Sequence, residues 1–164
     1  MNLAKIPLSP IGTVICKEPY GAAFSDLIFA AFESCDHMSL FVRSGLRLHS
    51  SGKQVLKRME PFLVSDYWGH EWPHTSGQRH HIRCYKTCDE LRDIVLDVSQ
   101  SLYQWVQPKL PEDPAFYRKN KIWLHSITHE KMSFLSLTDK EQKDLLLRYP
   151  RLKPFLGETY PVTL

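Results

Sequence analysis

An α+β domain, built mainly on an antiparallel sheet with helices packed on one face, is the fold class this sequence predicts. Three observations lead there. Apolar residues recur at helical spacing in separate segments, each marking a helix with one buried stripe. Between them lie short β-branched and aromatic runs bounded by turn residues. These runs come as hairpin-like pairs, and the long crossovers of a doubly wound parallel fold are missing. A chain of 164 residues with 43% hydrophobic and 24% charged residues suits one domain over residues 1–164, with surface arms expected at 1–12 and 154–164.

Taken in order, the first twenty residues read as an extended arm in which Val14 and Ile15 add a short strand, stopped by Pro19. Phe24, Leu27, Ile28, Ala31 and Phe32 then form one helical stripe. Met38 to Arg43 is β-rich. A shorter helix is expected over Lys53 to Glu60, with Ser51 and Gln54 as a capping box and Pro61 as its stop. Phe62 to Trp72 and Arg79 to Lys86 make an antiparallel pair around the turn residues Pro73 to Gln78. In the second strand Ile82 and Cys84 alternate with His81, Arg83 and Tyr85, which predicts one apolar and one solvated face. Thr87 and Glu90 form a second capping-box pattern ahead of a long helix, Cys88 to Gln107, whose stripe is Leu91, Ile94, Val95, Val98, Leu102 and Trp105. Pro108, Pro111 and Pro114 exclude helix beyond it. Ala115 to Arg118 and Ile122 to Ile127 flank Lys119-Asn120-Lys121, a hairpin signal, and Phe134 to Leu137 can pair beside them. A last helix starts at Thr138, with Glu141 as its capping partner, and ends before Pro150.

Composition narrows the function classes. The N-terminus lacks the continuous apolar core of a signal peptide, and the longest apolar stretch, Leu27 to Phe32, is too short to span a bilayer, so the cytoplasm is the expected compartment. Cys16, Cys35, Cys84 and Cys88 are then expected as thiols, with Cys16 and Cys35 acting as small buried hydrophobes. A net charge of +3 with dispersed Lys and Arg leaves nucleic-acid binding open without favouring it. There is no Gly-x-Ser-x-Gly elbow, phosphate-binding loop or dinucleotide fingerprint, and no cofactor is called for.

Three constellations carry chemistry. In the first, Glu112 and Asp113 precede one strand of the expected hairpin, and His125, His129 and Glu130 lie toward the end of the other. If the hairpin forms, Glu112, Asp113, His129 and Glu130 converge, a set suited to a divalent metal or to acid–base chemistry. The structural alternative is that Asp113 accepts backbone N–H bonds in a turn beside Pro114 and that Glu112 caps a strand end. His125 and His129 are four apart, but in a strand that spacing is about 13 Å, too far for one metal. The second constellation, His70, His74, Cys84 and Cys88, has zinc-ligand chemistry in an unusual order, against the alternative of a solvated histidine face and two core thiols. Cys88, near a helix N-terminus, is also a candidate thiolate. The third is aromatic: Trp68 and Trp72, interleaved with Arg79 and Arg83, suit the anchoring of a protein partner or the stacking of nucleobases, whereas Trp105 and Trp123 are expected in the core.

The run Trp72, Thr75, Tyr85, Tyr103, Trp105, Pro108, Leu110-Pro111-Glu112-Asp113, Phe116, Trp123 and His129-Glu130 resembles small uncharacterised bacterial immunity-type proteins, the companions that neutralise toxins. The resemblance covers the second half of the chain and transfers no active site. Together with the single-domain size, the composition, the missing catalytic motifs and the aromatic sheet face, this leads to the expectation of a cytoplasmic protein-binding protein that occludes a toxin; the residues themselves offer Trp68, Trp72, Arg79, Arg83, Glu112, Asp113 and Glu130 as the expected contacts. A small metal-dependent or acid–base hydrolase at Glu112, Asp113, His125, His129 and Glu130, and an RNA-binding module using Arg79 and Arg83, are the alternatives.

Overall fold

The structure is a computed structural model that describes residues 11–69 and 79–161. Its elements are β1 (Ile11–Ile15), α1 (Gly21–Ser34), β2 (His37–Val42), α2 (Ser50–Met59), β3 (Leu63–Gly69), β4 (His80–Lys86), α3 (Asp89–Val98), β5 (Glu112–Arg118), β6 (Lys121–Ile127), β7 (Met132–Leu135), α4 (Asp139–Arg148) and β8 (Leu156–Pro161). The strands form one eight-stranded sheet in the order β3-β4-β2-β5-β6-β7-β1-β8, antiparallel at every pairing. The α+β class and its antiparallel sheet are therefore as the sequence predicts. No helix among the described residues is long and apolar enough to cross a membrane.

The main core joins the buried faces of the helices to one face of the sheet. Phe24, Leu27, Ile28 and Ala31 of α1 meet Met38, Leu40, Tyr85, Phe116 and Leu124 there. Two smaller clusters, Phe41-Ile82-Cys84 and Ala115-Tyr117-Ile122, fall at the alternate strand positions. The expectation of a solvated face on β4 thus fails. Ile82 and Cys84 are buried as predicted, but Tyr85, on the other face, is fully buried in the main core, and His81 and Arg83 are only half-exposed. Irregular strands do much of the shaping. Tyr117 pairs with Ile122 and Phe116 with Leu124, so β6 holds one extra residue, Trp123. That bulge lets the consecutive Trp123 and Leu124 both join the main core.

Four other expectations need correction. Residues 154–164 were expected as an arm, yet Leu156–Pro161 pair with β1 and close one side of the sheet. The helix expected over Cys88 to Gln107 stops at Val98. Ser99 Oγ donates to the Val95 carbonyl at 2.9 Å and accepts the Trp105 indole N–H at 2.8 Å, the local competition by which serine ends helices. Leu102 and Trp105 still reach the core, from a separate 3-10 turn, which explains why the apolar period ran on past the break. Of the expected capping boxes only Thr138–Glu141 forms. Thr87 Oγ1 instead donates to the Cys35 carbonyl at 2.6 Å, and Ser51 Oγ to the Lys109 carbonyl at 2.9 Å, so tertiary acceptors outcompete the local ones. The four cysteines are free thiols; Cys35 is buried as expected, but Cys16 is exposed.

Candidate functional site

Consecutive residues of a regular strand point to opposite faces. Glu112 and Asp113 escape this rule through a bulge. Ser39 pairs with Ala115 and Phe41 with Glu112, so β5 carries one residue more than β2 over that stretch. Asp113 absorbs it in the left-handed region, at φ 54°, where a non-glycine residue is uncommon and aspartate is among the best tolerated. As a result one carboxylate oxygen from each acid and one ring nitrogen of His129 all lie within 4.8 Å of one another.

The surroundings fix both acids in place. Asp113 Oδ1 accepts the Thr128 backbone N–H at 2.7 Å and lies 2.8 Å from Thr128 Oγ1. That hydroxyl is also 2.6 Å from the Trp105 carbonyl and has one proton for the two acceptors. Glu112 Oε1 accepts the Gln107 backbone N–H at 3.1 Å, with the Arg43 guanidinium 3.5 Å away. The Gln107 side chain in turn accepts the Arg43 backbone N–H at 2.7 Å and donates to the carbonyls of Arg43 and Leu46. Both acids take structural roles, though not as expected: Asp113 lies within β5 and accepts the N–H of Thr128, 15 residues away, instead of closing a local turn, and Glu112 ties the strand entry to the preceding turn. Glu112 Oε2, however, is buried and has no hydrogen-bond partner.

His129 and Glu130 lie in a 3-10 turn ended by Lys131 at φ 55°, with 3.7 Å between His129 Nε2 and Glu130 Oε1. Both are exposed, whereas Glu112 and Asp113 show no surface at all. The two acids therefore cannot pair directly with a partner's cations, and of the expected acidic contacts Glu130 alone meets solvent. His125 does not join the cluster. Its ring stacks on Phe134 at 4.8 Å, and burial pushes its pKa down to about 4.

The second constellation divides. His70 and His74 lie outside the described residues, as does Trp72. Cys84 belongs to the Phe41-Ile82 cluster, where burial is the main cause that pushes its thiol up, against hydrogen bonds with Ser65 and Tyr67 that lower it. Cys88 packs against the main core and takes the N-cap position of α3. Among the described residues, neither thiol belongs to a group of three possible metal donors.

Of the aromatic constellation, Trp68 lies on β3, an outermost strand of the sheet, while Arg79 precedes β4 and Arg83 lies on it. Trp68 is 55% exposed and stacks on His81 at 5.4 Å between ring centres. Arg79 donates to the Trp68 carbonyl at 3.0 Å. Val64, also exposed, lies four residues back on the same strand. Arg83 is not available in the same way: its guanidinium binds Glu60 and the Tyr85 hydroxyl and lies 3.7 Å from Asp66. Trp105 and Trp123 are buried, as expected. Sequence reasoning missed Arg43, Gln107 and Thr128, which are 69, 5 and 15 residues from the acids they serve and carry no local signal. Trp68 and Glu112 belong to the same end of the sheet, since Trp68 pairs with His81, His81 with Val42, and the neighbouring Phe41 with Glu112. Three strand spacings, roughly 14 Å, separate them. Comparison with protein-family models, with curated proteins and with solved structures gives no match for this chain.

Proposed function

We propose that this chain is a protein-binding protein that neutralises a bacterial toxin by occluding it, and that it takes its partner along the outer edge of β3. The observation that carries the binding reading is Trp68, a large aromatic left 55% exposed on an outermost strand. Edge strands offer unpaired backbone donors and acceptors, and a partner strand that adds there gains a ladder of hydrogen bonds. Trp68 and Val64 supply the apolar contact and Arg79 the polar rim; tryptophan and arginine are the residue types that dominate binding energy at interfaces. Glu130, exposed in the turn after β6, lies four strands in from that edge and adds an acidic contact for a partner that also reaches across the sheet. The toxin-neutralising form of the reading rests on the resemblance of the second half of the chain to immunity-type proteins.

The test is quantitative affinity capture from the native host, with the wild-type protein beside Trp68→Ala and Glu130→Ala. The expected result is a stoichiometric toxin whose affinity for Trp68→Ala falls about 30-fold, the loss of roughly 2 kcal/mol usual for an aromatic anchor. Equal recovery by wild type and both variants removes this face as the interface.

Hydrolysis at Glu112, Asp113 and His129 is the second reading, favoured by the convergence of those three residues. A partner lost by Trp68→Ala and kept by His129→Ala separates the two. The RNA-binding reading loses support, because Arg83 is held by its own carboxylate neighbours.

A further inference from the structure

We propose that Glu112, Asp113 and His129 form a divalent-cation site of the class that takes Zn2+, whether or not the protein also binds a partner. Four observations meet at this point. The three donors lie within 4.8 Å of one another although they come from two different strand ends. Ligands at about 2.1 Å from a tetrahedral ion stand roughly 3.4 Å apart, so a closure of at most about 1.4 Å between the widest pair seats it. The backbone is bent to bring the donors together: Asp113 holds φ 54° in a bulge, a conformation that costs energy and turns its carboxylate to the side of Glu112.

The third observation is Glu112 itself. A buried carboxylate atom without a hydrogen bond is costly unless something positive meets it. Oε1 is engaged by Gln107 and faces Arg43, so Oε2 is the donor that remains, in a side chain with no exposed surface. Arg43 offsets part of the charge of the pair but stands on the Oε1 side, 3.5 Å away, with its side chain 40% exposed. The fourth is Glu130, 3.7 Å from one nitrogen of His129. With Nδ1 as the ligand, a carboxylate beside Nε2 is the arrangement that orients a metal-bound imidazole.

The donor set names the ion class. Mg2+ and Ca2+ take oxygen ligands. An imidazole among three protein ligands suits Zn2+ and its first-row neighbours.

Calorimetric titration of the full chain with Zn2+ tests the site, with Co2+ as a spectroscopic stand-in because the protein also carries four thiols. One equivalent is expected to bind, and the Co2+ complex should show the weak bands of oxygen and nitrogen ligation without a thiolate charge-transfer band. His129→Ala changes an exposed side chain and Glu112→Gln keeps the shape of a buried one; each should weaken affinity by about 10- to 100-fold while circular dichroism shows the fold retained. The proposal is overturned by a wild type that shows no saturable one-equivalent binding, by variants that bind as the wild type does, or by a thiolate band in the one-equivalent complex.

Discussion

Asp113 illustrates how much one backbone angle decides. Its φ of 54° turns a second carboxylate to the side of Glu112, and its Oδ1 holds the Thr128 N–H that begins the turn carrying His129. Substitution separates the two contributions. Asp113→Gly relaxes the backbone but leaves the Thr128 N–H without its acceptor, a loss of about 1–3 kcal/mol. Asp113→Ala adds the left-handed strain of roughly 1–2 kcal/mol to the same loss. Urea unfolding should therefore rank wild type above glycine above alanine, and a glycine variant no more stable than alanine would remove strain from the account.

His125 sets a pH dependence at the same scale. Burial lowers its pKa from 6.5 to about 4. Between those values the unfolded chain takes up a proton that the folded chain refuses, so acidification destabilises. Stability is fully present above pH 6.5, falls by about 1.4 kcal/mol per pH unit below it, and loses roughly 3 kcal/mol by pH 4. Phe in place of His125, next to Phe134, should flatten this slope in urea titrations at successive pH values. An unchanged slope in His125→Phe would assign it to other groups.

At the level of elements, local signals held where no tertiary acceptor competed with them. Thr138 and Glu141 close a reciprocal box at the start of α4 because both side chains remain at the surface. Thr138→Ala should cost about 1 kcal/mol in the midpoint of thermal or urea unfolding, the usual loss for an N-cap. The Lys119-Asn120 turn held for a similar reason. Both residues have positive φ, and Arg118 pairs with Lys121, which makes the two-residue hairpin loop whose twist suits its strands. At α3 and α2 the same type of signal failed. Thr87 and Ser51 found carbonyls brought by distant parts of the chain, at Cys35 and Lys109.

Across the whole molecule the sheet is closed on one side by the C-terminal strand. Phe155 accepts the Cys16 N–H at 2.9 Å, β8 covers β1, and Arg151 forks onto the buried Asp26 of α1 with two contacts of 2.8 Å. Removal of residues 156–164 would expose the edge of β1, a pairing template for other chains. The truncated protein should melt at least about 5 °C lower and scatter light on standing. A truncation that melts and behaves like the full chain would return this segment to the status of an arm. The opposite side of the sheet ends on β3, and the exposure of Trp68 there is what makes it the favoured docking edge.

Helical stripes, hairpin turns and the antiparallel class were written in local periodicity, because the 3.6-residue and two-residue repeats and the turn residues act over a few positions. The pairing of the Glu112-Asp113 segment with the His129 turn was legible for the same reason: one hairpin brings its own ends together. The bulges at Asp113 and Trp123 were not, because they follow from the register of strands far apart in the chain. Nor were the burial of both acids and the clasp of Arg43 and Gln107 on Glu112, which join residues up to 69 positions apart across the sheet. The strand order that seats β8 at one edge and leaves Trp68 at the other was also a tertiary decision. Local sequence chooses the elements, but only their packing determines which side chains lose water and which charges must then face each other.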